Sequence, residues 1–286
     1  MTRERLELPD GDFLDIDWTT PTKGLRVLLL HGLEGSLDSH YTGGLLDCLK
    51  AHGYTAGLMY FRGRSGEPNR LARSYHSGDT GDLDYVVRHL QTRHPQQALA
   101  LVGFSLGGNV LLKWLGEQGT SAQITTAVAV SVPFDLDAAA RQLDSGLSRI
   151  YRRHLLSKLR ESIRLKANVA PVSFPLSQLS RLRTFHAFDN AITAPLHGFK
   201  DVYDYYQQSS SKQFLAQIRT PTLILQSVDD PFLPPGALPG GHELSDDITL
   251  ELSSHGGHVG FVAGNSPGTA HYWLEQRIVQ HLAHLH

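Results

Sequence analysis

The 286-residue sequence contains a single cysteine, Cys48. That excludes intramolecular disulfides and CxxC-type zinc sites. Charge is also scarce: charged residues make up 19% of the chain, against about 25% in a typical globular protein. Lys+Arg 26 against Asp+Glu 28 leaves a formal net charge of −2, too little to build the basic field that holds nucleic acid. No apolar run approaches the roughly 20 residues of a membrane span, and Leu25 to Leu30 is already interrupted by Arg26. The first ten residues carry no apolar h-region, so no secretory leader is expected. These absences predict a soluble, cytoplasmic protein with no nucleic-acid partner. Peripheral membrane contact stays open, as does the choice between monomer and homodimer.

What the sequence has is a core and an excess of glycine. Hydrophobic residues reach 41%, and there are 27 glycines, above the average share of about 7%. Short apolar runs alternate with amphipathic stretches through the first half. Val27 to Leu30, Tyr54 to Tyr60, Ala98 to Val102 and Ile124 to Val130 read as buried strands. The patterns at Ser39 to His52, Asp79 to His94 and Leu106 to Gln118 read as helices between them. Such alternation means βαβ units and a parallel sheet covered by helices. Ahead of it, Arg3 to Leu8 and Asp12 to Trp18 flank the turn Pro9-Asp10-Gly11 and predict an antiparallel hairpin.

The alternation stops between Asp135 and Ile218, where helical stretches such as Ser148 to Lys166 replace strands. Strands return at Thr222 to Val228 and Ile248 to Leu252, and Ser266-Pro267 predicts the N-cap and first residue of a closing helix. The chain thus divides into an α/β core, residues 1–134 and 219–286, and an inserted helical cap, residues 135–218. The basic stretch from Arg149 to Lys166 is read as a solvated helix face rather than a docking site for an acidic partner.

Two segments fit G-x-S-x-G: Gly103 to Gly107 and Gly264 to Gly268. Context separates them. Ser105 follows an apolar strand and opens a helix, as a nucleophile elbow requires, and Leu106 after it has a backbone N–H to offer an oxyanion. Ser266 follows no such strand, and Pro267 has no N–H. A serine nucleophile needs a base and a group that orients the base, and in this strand–turn–helix setting the order is Ser, acid, His. Asp229 and Asp230 both stand after the strand at Thr222 to Val228; Asp230, next to Pro231 and farther out of the strand, is the better placed, with Asp229 as helper or alternative. His258, between Gly257 and Gly260, has the backbone freedom to face Ser105, whereas His255 reads as structural. His281, His284 and His286 lack a carboxylate or cysteine at ligand spacing and are read as a solvated helix end, with no metal site.

The loop His31-Gly32-Leu33-Glu34-Gly35-Ser36 follows a buried strand, where this architecture supplies a second oxyanion donor, and the Leu33 N–H is the candidate. The sequence has neither G-x-x-x-x-G-K-[ST] nor G-x-G-x-x-G, so no nucleotide cofactor is expected, nor any other cofactor. Arg62 to Asn69 and His76 to Asp79 either shape the site entrance or brace the loop after a strand, with bracing the preferred reading.

These motifs together resemble the YheT-like branch of the α/β-hydrolases, which groups bacterial YheT with animal ABHD-type phospholipases and yeast medium-chain acyltransferases. The resemblance rests on His31 to Ser36, Phe61 to Asn69, Tyr75 to Asp79, Gly103 to Gly108, Asp229 to Phe232 and Gly256 to Phe261, and extends through Asp189, Gly198-Phe199 and Asp204 to Tyr206. It implies an α/β-hydrolase fold with a mostly parallel eight-stranded sheet, and a charge-relay triad on Ser105, Asp230 and His258. It also implies small-molecule or lipid ester substrates. Two further readings are acyl transfer to an alcohol through the same triad, and a hydrolase fold kept only for binding.

Overall fold

A computed structural model describes residues 1–263 and 271–283. Eight strands form one sheet: β1 (Thr2–Glu7), β2 (Phe13–Trp18), β3 (Arg26–Leu30), β4 (Thr55–Met59), β5 (Leu99–Phe104), β6 (Thr126–Val130), β7 (Thr222–Ser227) and β8 (Ile248–Ser253). Their order is β1-β2-β4-β3-β5-β6-β7-β8. β1 and β2 pair antiparallel across the predicted hairpin, β2 meets β4 antiparallel, and every later pairing is parallel. Gly11, at φ +85°, supplies the left-handed turn the hairpin needs.

Every residue of β3 to β7 is buried. That is why these strands read as continuous apolar runs rather than as alternations. Helices cover both faces. On one side, α2 (Thr80–Arg93) and α3 (Leu106–Gln118) contribute Leu83, Val86, Leu90, Val110 and Trp114. On the other, α1 (Thr42–Ala51) and α9 (Trp273–Ala283) contribute Leu45, Leu49, Ile278 and Leu282.

Between β6 and β7 run α4 (Leu136–Leu143), α5 (Ser148–Lys166), α6 (Phe185–Phe188), α7 (Ala194–Leu196) and α8 (Val202–Ser209), with a π-helical turn at Asp189–Thr193 and no strand. This block has its own apolar cluster, in which Leu136, Leu156, Leu179, Phe188 and Tyr206 pack together.

One reading of the C-terminal region lies outside the described residues, and one is corrected. The predicted cap at Ser266-Pro267 lies outside the described residues, as do His284 and His286. His281 is not part of a solvated helix end. It is half-buried, and its Nε2 lies 2.9 Å from the Thr126 hydroxyl on β6.

Candidate active site

The parallel strands all end at one edge of the sheet, and the segments singled out in the sequence meet there. β5 ends at Phe104 and α3 begins at Leu106, which leaves Ser105 alone to make the turn. Its backbone stands at φ +51°, ψ −117°, a conformation an L-residue holds only where its surroundings enforce it. Close packing enforces it here. A Cβ on Gly103 would lie 2.6 Å from the Gly107 carbonyl oxygen, and one on Gly107 would lie 2.5 Å from that of Leu30. Strand and helix could not approach this closely with any larger residue at either position.

Ser105 Oγ lies 2.9 Å from His258 Nε2, and His258 Nδ1 lies 3.0 and 3.1 Å from the two Asp230 oxygens. A carboxylate only accepts, so Nδ1 carries the proton and Nε2 is left to accept from the serine hydroxyl. Asp230 is buried and has two more donors, the Gln226 amide at 3.0 Å and the Phe232 N–H at 2.8 Å. Such a set satisfies the buried carboxyl group and fixes its direction. Phe232 also lies flat on the His258 ring, with centroids 3.7 Å apart and planes 5° from parallel.

Asp229 and His255 fall elsewhere. Asp229 is exposed, accepts from Gly257 N–H at 2.8 Å and faces His255 at 3.5 Å; the Gly257 N–H holds its carboxyl below the ordinary range. It does not touch His258, but it does pin the turn that carries it. Ser227 Oγ donates to the Gly257 carbonyl at 2.7 Å, and Ser131 Oγ accepts from Val259 N–H at 3.0 Å. Three residues therefore fix the backbone on either side of the imidazole.

The His31 to Ser36 loop passes beside Ser105, since a Cβ on Gly32 would come within 3.2 Å of the serine Cβ. Most amides of the loop are taken: Gly32 N–H by Tyr41 Oη, Glu34 N–H by Tyr75 Oη, Gly35 N–H by the Gly32 carbonyl and Ser36 N–H by Ser39 Oγ. Of the amides from Gly32 to Ser36, that of Leu33 has no hydrogen-bond partner among the described residues. Leu106 begins α3, where N–H groups have no intrahelical partner and the helix dipole favours negative charge. His31 locks the loop from below. Its Nε2 accepts from Phe61 N–H at 3.1 Å, so its Nδ1–H donates to the Gly32 carbonyl at 2.7 Å. Complete burial pushes its pKa down to about 4, which keeps the ring neutral in this role.

Leu33 and Leu106 line a cavity of about 750 Å³ that runs between the sheet edge and the β6–β7 helical block. Leu159, Ile163, Phe185, Phe188 and Ile192 form much of its apolar wall. The Arg62 to Asn69 loop forms another side, and it is braced from beneath. The buried Arg62 guanidinium forks onto Asp82 at 2.7 Å and reaches Asp12 at 3.0 Å and Asp10 at 2.8 Å.

Residues 26–264 match the alpha/beta hydrolase fold family. The chain is 42% identical over 281 residues to the Escherichia coli (strain K12) protein "Putative esterase YheT", covering 96% of this chain and 82% of that one. The chain is a YheT-like α/β hydrolase. A Saccharomyces cerevisiae protein named monoacylglycerol lipase is 31% identical over 274 residues, 90% of this chain and 58% of its own. The Pyrococcus furiosus esterase Pf2001 shares the fold at a TM-score of 0.63 with 17% identity, covering 99% of this chain and 92% of that one. No helix among the described residues of this YheT-like hydrolase is long and apolar enough to cross a membrane.

Sequence reasoning missed Gln226, Phe232 and Ser131 as supports of the site. Gln226 gave a usable signal, since it is a polar residue inside the buried run Thr222 to Ser227. Ser131 gave none.

Proposed function

We propose that this protein is a carboxylic ester hydrolase in which Ser105 is the nucleophile, His258 the base and Asp230 the group that orients it. The hydrogen-bonded series Ser105–His258–Asp230, presented on a strained strand-to-helix turn, carries this reading. His258 Nε2 takes the Ser105 proton as Oγ attacks the ester carbonyl, and the Leu33 and Leu106 N–H groups receive the negative charge that develops on its oxygen. Protonated His258 returns the proton to the departing alcohol and leaves Ser105 acylated. Water, activated by the same imidazole, then releases the acid.

Residues 135–218 act as a cap whose apolar wall receives the acyl chain. The esterase and lipase names of the relatives fit that role. Acyl transfer would share the acyl-enzyme and differ only in its acceptor. The test is a panel of p-nitrophenyl esters from acetate to palmitate, run with and without an added alcohol. Hydrolysis by the wild type and its loss in Ser105→Ala are expected. A wild type inert toward every chain length would overturn the reading, and ester product in the alcohol arm would assign transfer.

A further inference from the structure

Glu34 directly follows Leu33, and its backbone lies in the left-handed region at φ +56° although it carries a side chain. Three residues hold it there. Tyr75 Oη accepts from Glu34 N–H at 2.9 Å and donates to Glu34 Oε1 at 2.9 Å, closing a ring between the residue's own amide and carboxylate. Arg64 reaches the carboxylate at 2.9 Å and the Glu34 carbonyl at 3.1 Å. Ser162 Oγ, on helix α5, donates to Glu34 Oε2 at 2.6 Å and accepts from Arg64 at 2.9 Å. Burial pushes the Tyr75 phenol well above its ordinary pKa, so it remains a donor throughout the working pH range. The Glu34 side chain is 2% exposed. A carboxylate so enclosed faces the protein, not solvent, and its bonds act on the loop that bears it.

Helix α5 is tied to the other side of the site as well. Ser148 Oγ donates to the carbonyl of Pro231, the residue after Asp230, at 2.7 Å. Near its far end, the buried Lys166 ammonium donates to the Asn69 and Leu71 carbonyls at 2.7 and 3.0 Å. One helix therefore holds the residue that follows the acid and the residue that follows the oxyanion donor.

We propose that Glu34 is a positioning residue that ties the Leu33 N–H to helix α5, so that the oxyanion hole is complete only while this helix is seated. The proposal rests on the ester-hydrolase reading, for which wild-type turnover is the control. A tie of this kind acts on the transition state and leaves ground-state binding of the ester alone.

The experiment compares Glu34→Gln, Ser162→Ala and Ser162→Thr with wild type. It measures kcat and KM on one ester, inhibition by an alkyl trifluoromethyl ketone, and the urea midpoint. The ketone bonds covalently to Ser105 Oγ, and its carbonyl oxygen becomes an oxyanion in the hole. In Glu34→Gln, kcat and ketone affinity should fall together by about tenfold to a hundredfold, less than the loss of a whole donor, with KM within about twofold. Ser162→Ala should lose about threefold to tenfold in both, and Ser162→Thr, which keeps the hydroxyl, should recover them. Wild-type kcat and ketone affinity in Glu34→Gln, with only a lowered urea midpoint, would overturn the proposal. If Glu34→Gln does not fold, unchanged kcat in Ser162→Ala overturns it instead. A wild type without turnover removes the ester-hydrolase reading itself, and this one with it.

Discussion

Phe232 lies flat against His258, ring on ring, with centroids 3.7 Å apart. The same residue donates its N–H to Asp230 at 2.8 Å. One residue thus fixes the plane of the imidazole and the direction of the carboxylate. An aromatic pair contributes about 0.5–1.5 kcal/mol beyond its buried area, so Phe232→Ala should lower kcat by roughly twofold to tenfold. Phe232→Tyr should retain it. Steady-state kinetics on one ester checks this, and wild-type kcat in the alanine variant would deny the ring a role.

The two neighbouring aspartates should behave differently. Asp230→Asn puts an amide where a carboxylate fixes the imidazole tautomer, and a loss of about 10⁴ in kcat is expected by analogy with other triads. Asp229→Asn weakens the bond to Gly257 N–H and the contact with His255, away from the imidazole of His258, and should cost less than about tenfold. Equal losses, or the reverse order, would move the acid to Asp229.

Glycine should matter by position rather than by number. A Cβ on Gly107 would lie 2.5 and 2.6 Å from the carbonyl oxygens of Leu30 and His31, backbone atoms that cannot swing aside. Gly107→Ala should therefore disturb both the elbow and the oxyanion loop, with a stability loss of several kcal/mol, on the order of a severe overpacking change. Gly43 is the contrast: it is exposed on α1, and a Cβ there would meet nothing within 4 Å. Gly43→Ala should be neutral or stabilising by up to about 1 kcal/mol. Urea unfolding of the two variants reads the difference directly.

Buried and half-buried histidines should make the fold sensitive to acid. Burial pushes the pKa of His197 down from 6.5 to about 3, and its Nε2 has no hydrogen-bond partner among the described residues. The unfolded chain takes up a proton that the fold refuses, so stability is full above pH 6.5 and falls as pH drops toward 3. His31 and His76, pushed to about 4 and about 3, add to the same fall. His197→Phe keeps a ring beside His76, 4.6 Å away in the wild type, and removes one titrating group. It should gain on the order of 1 kcal/mol over wild type at about pH 5, and less at neutral pH. Urea unfolding at the two pH values checks it, and an equal effect at both would contradict the assignment.

The strand-to-helix turn at Ser105 and the glycine-flanked loop at His258 were legible in the sequence because each depends on local backbone. Ser105 needs an apolar strand before it, a helix after it and glycines on both sides, and all of these are adjacent in the chain. His258 likewise announces itself by the glycines of its turn. Phe232 was hidden because its role depends on a later loop bringing the His258 ring against it, and Gln226, although visible as a polar residue in the buried β7 run, did not show which group it holds. Glu34 was named only as part of its loop, since Tyr75, Arg64 and Ser162 reach it from three separate segments. The π-turn at Asp189–Thr193 left no readable periodicity either. The parallel sheet, by contrast, follows from the buried apolar runs and the helical stretches that alternate with them.

The most direct test of the central claim is where a fluorophosphonate attaches. After incubation with the wild type, peptide mass spectrometry should find one adduct, on Ser105, formed far more slowly in His258→Gln and absent in Ser105→Ala. No adduct on the wild type, or an adduct that persists in Ser105→Ala, would contradict the account.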